Sequence, residues 1–224
     1  MVDGFPTVPD QRLGGDWRLC ARTEETLFRT PTAAVVGRTL VYEDAALADA
    51  LAAAGTADAL ARAAETADGG DRLVDTGDGD YWRFFFATAL SFRPALAPGI
   101  GPASMLPTVR SEALSAFTDD LTARGFEGVD RGRSQRVRTE GGDRARLTKL
   151  TARLPLGGEA PTESLDVEGW LAVWTTGGEF RIAGGAYPVQ GLGDLLAAAP
   201  ADDRPPTGRA AARDELLGLV RAVA

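Results

Sequence analysis

Apolar and polar residues alternate through Trp17, Leu19 and Ala21, with Arg18, Cys20 and Arg22 between them, the period of a half-buried strand. A β-branched run over residues 32–42 follows, with Gly37 as a bend inside it, and ends at Glu43-Asp44. Asp44 is placed to cap an alanine-rich helix carrying Leu47 and Leu51, and Thr56 to cap a second short one around Leu60 and Ala64. Residues 68–80 are acidic and glycine-rich and read as a loop. The stretch 81–92, YWRFFFATALSF, is apolar on both parities, so it predicts a strand buried on two faces in the middle of a sheet.

After a loop over 94–101, Ser104 is placed to cap a helix running to about Arg124. Its Val109, Ala113, Ala116, Phe117 and Leu121 share one face, and Gly125 stands at its C-terminal stop. Residues 133–155 predict a hairpin around Glu140-Gly141-Gly142-Asp143. A second hairpin joins 169–174 to 180–187 through Thr176-Gly177-Gly178. Residues 192–199 form a short helix. Consecutive hairpins demand antiparallel pairing, so the fold class is α+β, a largely antiparallel sheet with packed helices in a single domain. The expected layout is an N-terminal arm (1–15), the α+β domain (16–199), a linker (200–208) and a C-terminal helix packed on the domain (209–224), bearing Leu216, Val220 and Val223.

Composition narrows the chemistry. The 224 residues include no histidine and one cysteine, Cys20. That removes the serine and cysteine triads that need histidine, histidine-ligated metal sites, intramolecular disulfides and iron–sulfur clusters. No metal or cofactor is expected, and catalysis would fall to carboxylates, hydroxyls, arginines or the single lysine, Lys149. So narrow a kit argues against an enzyme. No apolar run approaches the ~18 residues of a membrane-spanning helix, and the opening MVDGFPTVPD lacks a basic or apolar leader pattern, so a cytoplasmic protein is expected.

Acids outnumber bases 32 to 24, for a net charge of −8. A GC-rich genome accounts for the alanine, glycine and arginine content, whereas the acid excess fits solubility and hydration at high salt. The bases are unevenly placed. Residues 131–153 hold eight of them (Arg131, Arg133, Arg136, Arg138, Arg144, Arg146, Lys149, Arg153) against Glu140 and Asp143, so this segment is positive in an otherwise acidic chain. A turn at Gly141-Gly142-Asp143 brings Arg138 against Arg144, with Arg136 and Arg146 beside them, while Val137 and Leu147 point into the core. Arg136, Arg138, Arg144 and Arg146 are therefore the candidate surface for a protein partner or an anionic ligand. The competing reading is that they pair with carboxylates on neighbouring strands or simply solvate one sheet face.

Other patterns carry less. Nucleic acid is an alternative partner for the hairpin, but a net-acidic chain lacks the basic footprint of such a binder, and counterion-release binding collapses in high salt. Asp75-Thr-Gly-Asp78-Gly-Asp80 misplaces the glycine and lacks the twelfth-position Glu of a calcium loop. Gly99-Ile-Gly101-Pro-Ala-Ser104 lacks a phosphate-loop lysine and reads as a helix cap. A carboxylate-dependent hydrolase with its cleft beside this loop is the enzymatic alternative. Trp82, Trp170 and Trp174 read as core, and Cys20 as a packing residue.

The segment Thr23-Glu-Glu-Thr-Leu-Phe-Arg29 through Val41-Tyr-Glu-Asp44, together with Phe180-Arg-Ile-Ala-Gly-Gly-Ala-Tyr-Pro188, resembles uncharacterised proteins of halophilic archaea. The element order between Trp17 and Pro188 is also similar to PsbP-like α+β domains. That resemblance implies a docking or assembly role without catalysis, and it transfers no functional residue.

The acid excess is self-repelling at low ionic strength. Thermal unfolding followed by circular dichroism is expected to show a melting temperature that rises from low to molar KCl; a flat profile would contradict this.

Overall fold

A strand buried on both faces needs a partner on each edge and an apolar layer on each side, and this requirement organises the chain. The computed structural model describes residues 4–29, 34–57, 82–94, 102–156, 160–205 and 208–224. Seven strands form one antiparallel sheet: β1 (Trp17–Arg29), β2 (Ala34–Asp44), β3 (Phe84–Arg93), β4 (Glu127–Arg138), β5 (Arg144–Pro155), β6 (Ser164–Thr176) and β7 (Glu179–Gln190). Their order is β1-β2-β3-β7-β6-β5-β4. Two meanders, β1 to β3 and β4 to β7, are thus joined where β3 pairs with β7, from Phe84 opposite Ala186 to Leu90 opposite Phe180.

The FFF triplet of β3 explains the both-parity pattern. Phe84 and Phe86 enter one core, beneath helices α2 (Ala45–Ala53) and α3 (Pro102–Ala123), while Phe85 enters the other, beneath the C-terminal helix α5 (Arg209–Ala222). On the first face Phe117 of α3 is fully buried, its ring centroid 5.5 Å from that of Phe86 and 6.3 Å from that of Phe84. On the second, Leu216 and Val220 of α5 join Leu147, Ala172, Trp174 and Ala183. The layers are helix, sheet, helix. The fold is α+β with an antiparallel sheet in a single domain, as the hairpin spacing predicts.

Three glycines are demanded by geometry. Gly177 and Gly178 both take positive φ, 57° and 86°, which a two-residue turn matched to the strand twist requires. Gly185 lies where β7 runs against β3, and a Cβ there would collide with the Phe84 carbonyl oxygen. Asp44 caps α2 as predicted, its Oδ1 accepting from the Leu47 amide at 2.9 Å.

The arm and the C-terminus close on each other. Thr7 and Ala224 exchange two backbone hydrogen bonds of 3.0 Å. A short helix α1 (Asp10–Leu13) follows, and Trp17 Nε1 donates to Glu215 on α5 at 2.8 Å. Arg83 bridges Asp44, at 2.6 Å, and Glu215.

Several expectations need correcting. Leu19 is 48% exposed rather than inward, and the β1–β2 register shifts just after it, between Leu19 and Ala21. That bulge moves Ala21 to the α3 face, whereas Trp17 stays in the α5 core. Ser104 does not cap α3. The helix begins at Pro102, where a missing N–H costs nothing, so Ser104 sits inside the first turn. β1 runs on to Arg29, and β4 starts at Glu127, six residues before the predicted hairpin. Both are edge strands with irregular registers and little apolar alternation to read. The helix after β7, α4, is confined to Leu192–Leu195. The second alanine-rich helix, the 68–80 loop with its calcium-like spacing, and Gly99 to Gly101 fall outside the described residues.

Removing Phe117 would leave a hole between α3 and the aromatic row of β3. Phe117→Ala is expected to cost about 3–5 kcal/mol in urea unfolding; a loss below about 1 kcal/mol would show that α3 does not seal this core.

Candidate functional site

The β4–β5 hairpin is the outer edge of the sheet, and its pairing sorts charge from apolar surface. Arg138 lies opposite Arg144 and Arg136 opposite Arg146, while Val137 faces Ala145 and Gln135 faces Leu147. Ala145 and Leu147 are buried against the α5 core, with Val137 packed on its margin. Arg146 pairs across β6 with Val173, which belongs to the α3 core. Residues directly opposite on antiparallel strands share a face, so Arg136, Arg138, Arg144 and Arg146 all stand on the α3 side of the sheet.

The hairpin tip is held in place. Thr139 and Asp143 close the turn: the Thr139 amide donates to the Asp143 carbonyl and the Asp143 amide to Thr139 Oγ1, each at 3.0 Å. The Glu140 amide donates to the Arg221 carbonyl at 2.8 Å, and the Glu140 carboxylate pairs with Arg12 of α1. The turn is therefore docked on the end of α5 and on the N-terminal arm. Arg138 donates to the Gly142 carbonyl at 3.1 Å, the hairpin's own backbone.

Like charges directly opposite on paired strands repel, with Cβ atoms about 5 Å apart. Here two such pairs stand side by side. Among the described residues no carboxylate forms an ion pair with Arg136, Arg138, Arg144 or Arg146. Two other bases of the segment are paired with carboxylates. Arg153 pairs with Asp166 at 2.8 Å and Lys149 with Glu168 at 2.7 Å. Arg131 reaches across to α3, its Nε donating to Thr118 Oγ1 at 3.3 Å.

That last contact sets the helix in register with the hairpin. Arg131 lies opposite Leu150. From Leu150 back to Arg146 is roughly 13 Å along a strand, and from Thr118 back to Arg110 is roughly 12 Å along a helix, so Arg110 arrives beside Arg146. Arg110 is half-buried, and its Nε is shielded from solvent without a hydrogen-bond partner. Burial, and secondarily the charge of Arg146, lowers its pKa. Sequence reasoning does not reach Arg110. Its signal is the apolar stripe itself, because 110, 113, 117 and 121 follow one helical face and one member is charged.

A second polar group that the sequence does not announce lies on the opposite face of the sheet. Glu168 is 3% exposed and accepts from Lys149 Nζ at 2.7 Å, from Tyr187 Oη at 2.9 Å and from Arg209 at the start of α5. Trp170 Nε1 donates to Tyr187 Oη at 3.2 Å. Burial pushes the Glu168 carboxyl upward, but the hydrogen bonds from Lys149, Tyr187 and Arg209 outweigh it and leave its pKa lowered. Burial first, then the bond to Glu168, drives the Tyr187 phenol well above its ordinary value, so it stays a proton donor. This network fastens α5 to the sheet. The other buried carboxylates are engaged too: Asp44 with Arg83, Glu43 with Arg18 and Asp120 with Arg124.

Among the described residues no cluster of three or more Cys, Asp and Glu side chains is arranged to hold a metal ion, and no helix is long and apolar enough to cross a membrane. Cys20 is half-buried on β1, its thiol donating to the Arg18 carbonyl at 3.1 Å. Trp82, Trp170 and Trp174 are core residues.

A family pattern spans residues 5–224, covering both the arginine hairpin and the α5 network. The chain belongs to the DUF6517 family, a domain of unknown function. None of the curated proteins matches it. The matched residues take in all seven strands and α5.

Because the folded-state pKa of Glu168 lies below its unfolded value near 4.5, its stabilisation is complete above that value and fades as pH falls through the folded one. Glu168→Gln is expected to cost about 3 kcal/mol at pH 7. In urea unfolding from pH 7 to 3, its difference from wild type should shrink only at the acid end; a constant difference would contradict the assignment.

Proposed function

We propose that the protein is a non-catalytic cytoplasmic binding module of a halophile, and that Arg136, Arg138, Arg144 and Arg146 form the surface that meets an anionic partner. The observation that carries this reading is the absence, among the described residues, of any carboxylate paired with these four arginines. A chain with 32 acids has ample means to neutralise them. It does so for Arg83, Arg124, Lys149, Arg153 and Arg209, and leaves an edge hairpin with two like-charged cross-strand pairs. An edge strand needs charge to deter unwanted strand pairing, but scattered charge of either sign achieves that. Four arginines gathered on one face supply a recognition surface as well.

The resemblance to PsbP-like domains and to uncharacterised proteins of halophilic archaea supports a docking role in a salty cytoplasm. At molar salt the Debye length is about 3 Å, so a surface that works there needs direct, multidentate contacts. Guanidinium forks provide them. The same screening counts against nucleic acid, whose binding to such a surface would fall steeply with salt.

Crosslinking and co-purification from a 2 M KCl extract should recover a partner with wild type and lose it when Arg136, Arg138, Arg144 and Arg146 are all changed to alanine, with crosslinks mapping to β4 and β5. Recovery of the same partner by the fourfold variant would end the assignment of this surface.

A further inference from the structure

We infer that Arg110 of α3 and Arg146 of β5, flanked by Arg136 and Arg144, form a binding site for a multivalent phosphate-type oxyanion. The inference rests on the binding role of the hairpin and names the chemistry that the surface takes.

Three observations point there. First, the register of α3 on β5 carries Arg110 toward Arg146, and the charge of Arg146 acts on it, so two guanidiniums from different elements share one neighbourhood. Second, Arg110 Nε is buried with no hydrogen-bond partner, a donor cut off from water and left without an acceptor. Buried donors in folded proteins are nearly always satisfied, and an unsatisfied one has room for a water, an ion or a ligand as acceptor. Third, Arg136 and Arg146 stand opposite each other on the same face, and Arg144 is two residues along it, so further positive groups line the same approach. Next along the face, Ser134 Oγ and Thr148 Oγ1 share a hydrogen bond of 2.9 Å, adding hydroxyls at the margin.

The chemistry of the occupant follows from charge and geometry. Guanidinium presents planar, paired N–H donors that match the oxygens of a tetrahedral oxyanion. A single carboxylate would neutralise one charge of the group and leave the rest in mutual repulsion. An anion bearing several charges on linked phosphate-type oxygens answers all of them at once. Partial burial of Arg110 also removes it from the bulk ions that screen exposed charges, so binding persists in salt that disperses diffuse contacts. This separates the site from a nucleic-acid surface, which depends on counterion release from many exposed phosphates.

The test is isothermal titration calorimetry of the full chain with sodium tripolyphosphate at 0.2 and 2 M KCl. Orthophosphate serves as the low-charge comparison and a single-stranded oligonucleotide as the polymeric one. The expected result is saturable one-to-one tripolyphosphate binding, tighter than orthophosphate and retained at 2 M KCl. Arg110→Met and Arg146→Ala should each weaken it at least tenfold. Arg213→Ala, which removes an equal charge from the α5 face, should leave it within twofold. Without ligand, Arg110→Met should melt no lower than wild type, since it deletes a desolvated and repelled charge; should that variant not fold, Arg146→Ala decides the matter.

Absence of tripolyphosphate binding, equal weakening by Arg213→Ala, or binding confined to the oligonucleotide with a steep salt slope would each overturn the site. Failure of tripolyphosphate to bind while the fourfold arginine variant still loses a captured partner would overturn the oxyanion site and leave the hairpin assignment standing. Tripolyphosphate binding that Arg110→Met abolishes supports the site even where no protein partner is captured.

Discussion

The pairing of β3 with β7 is the constraint on which the rest of the molecule depends. It joins a three-stranded meander to a four-stranded one, and residues from Phe84 to Leu90 meet Ala186 back to Phe180. Both strands are buried on both faces, so the seam needs close backbone approach and apolar cover on either side. Gly185 permits the approach at a point where any side chain would strike the Phe84 carbonyl. Phe84 and Phe86 then supply the floor for α3, and Phe85 the floor for α5. The helices are placed by where the aromatic side chains emerge.

Charge follows a consistent rule across most of this framework. Buried carboxylates are met by cations: Glu168 by Lys149 and Arg209, Asp44 by Arg83, Asp120 by Arg124. Such pairs add little net stability over apolar packing, yet unpairing one is costly, so they fix how elements dock. Glu168 fastens α5, and the Arg83 bridge ties Asp44 to Glu215 on that same helix. At the sheet's far edge the rule is set aside. Arg110, with a buried Nε that has no acceptor, and the like-charged hairpin pairs are a local conflict, and conflicts of this kind gather at binding sites.

The hairpins are legible in the sequence because their signals are local. Gly177-Gly178 between alternating apolar runs marks a tight turn, and the period of two assigns each side chain to a face, which is enough to set Arg138 against Arg144. The Asp44 cap is legible for the same reason, since a cap acts on an amide three residues away. Ala21 defeats the alternation because one bulge inverts the parity on which that reasoning depends. The first part of β4 is hidden because an exposed, charged edge strand carries almost no apolar alternation. Arg110 escapes because its meaning lies in its distance from Arg146, and nothing in the helix alone records that distance.

Composition and periodicity by themselves determined that this chain is acidic, lacks the histidine-based and disulfide chemistries, folds as an antiparallel α+β domain and concentrates arginine on one hairpin. Each of these follows from residue identity or from interactions spanning a few positions. Tertiary structure decided which strands meet across the seam, which face of the sheet each helix covers, which carboxylates are neutralised and which arginines are left together. Those outcomes depend on contacts between residues far apart in the chain. Their free energy comes from burying two apolar faces at once, and no local pattern carries that information.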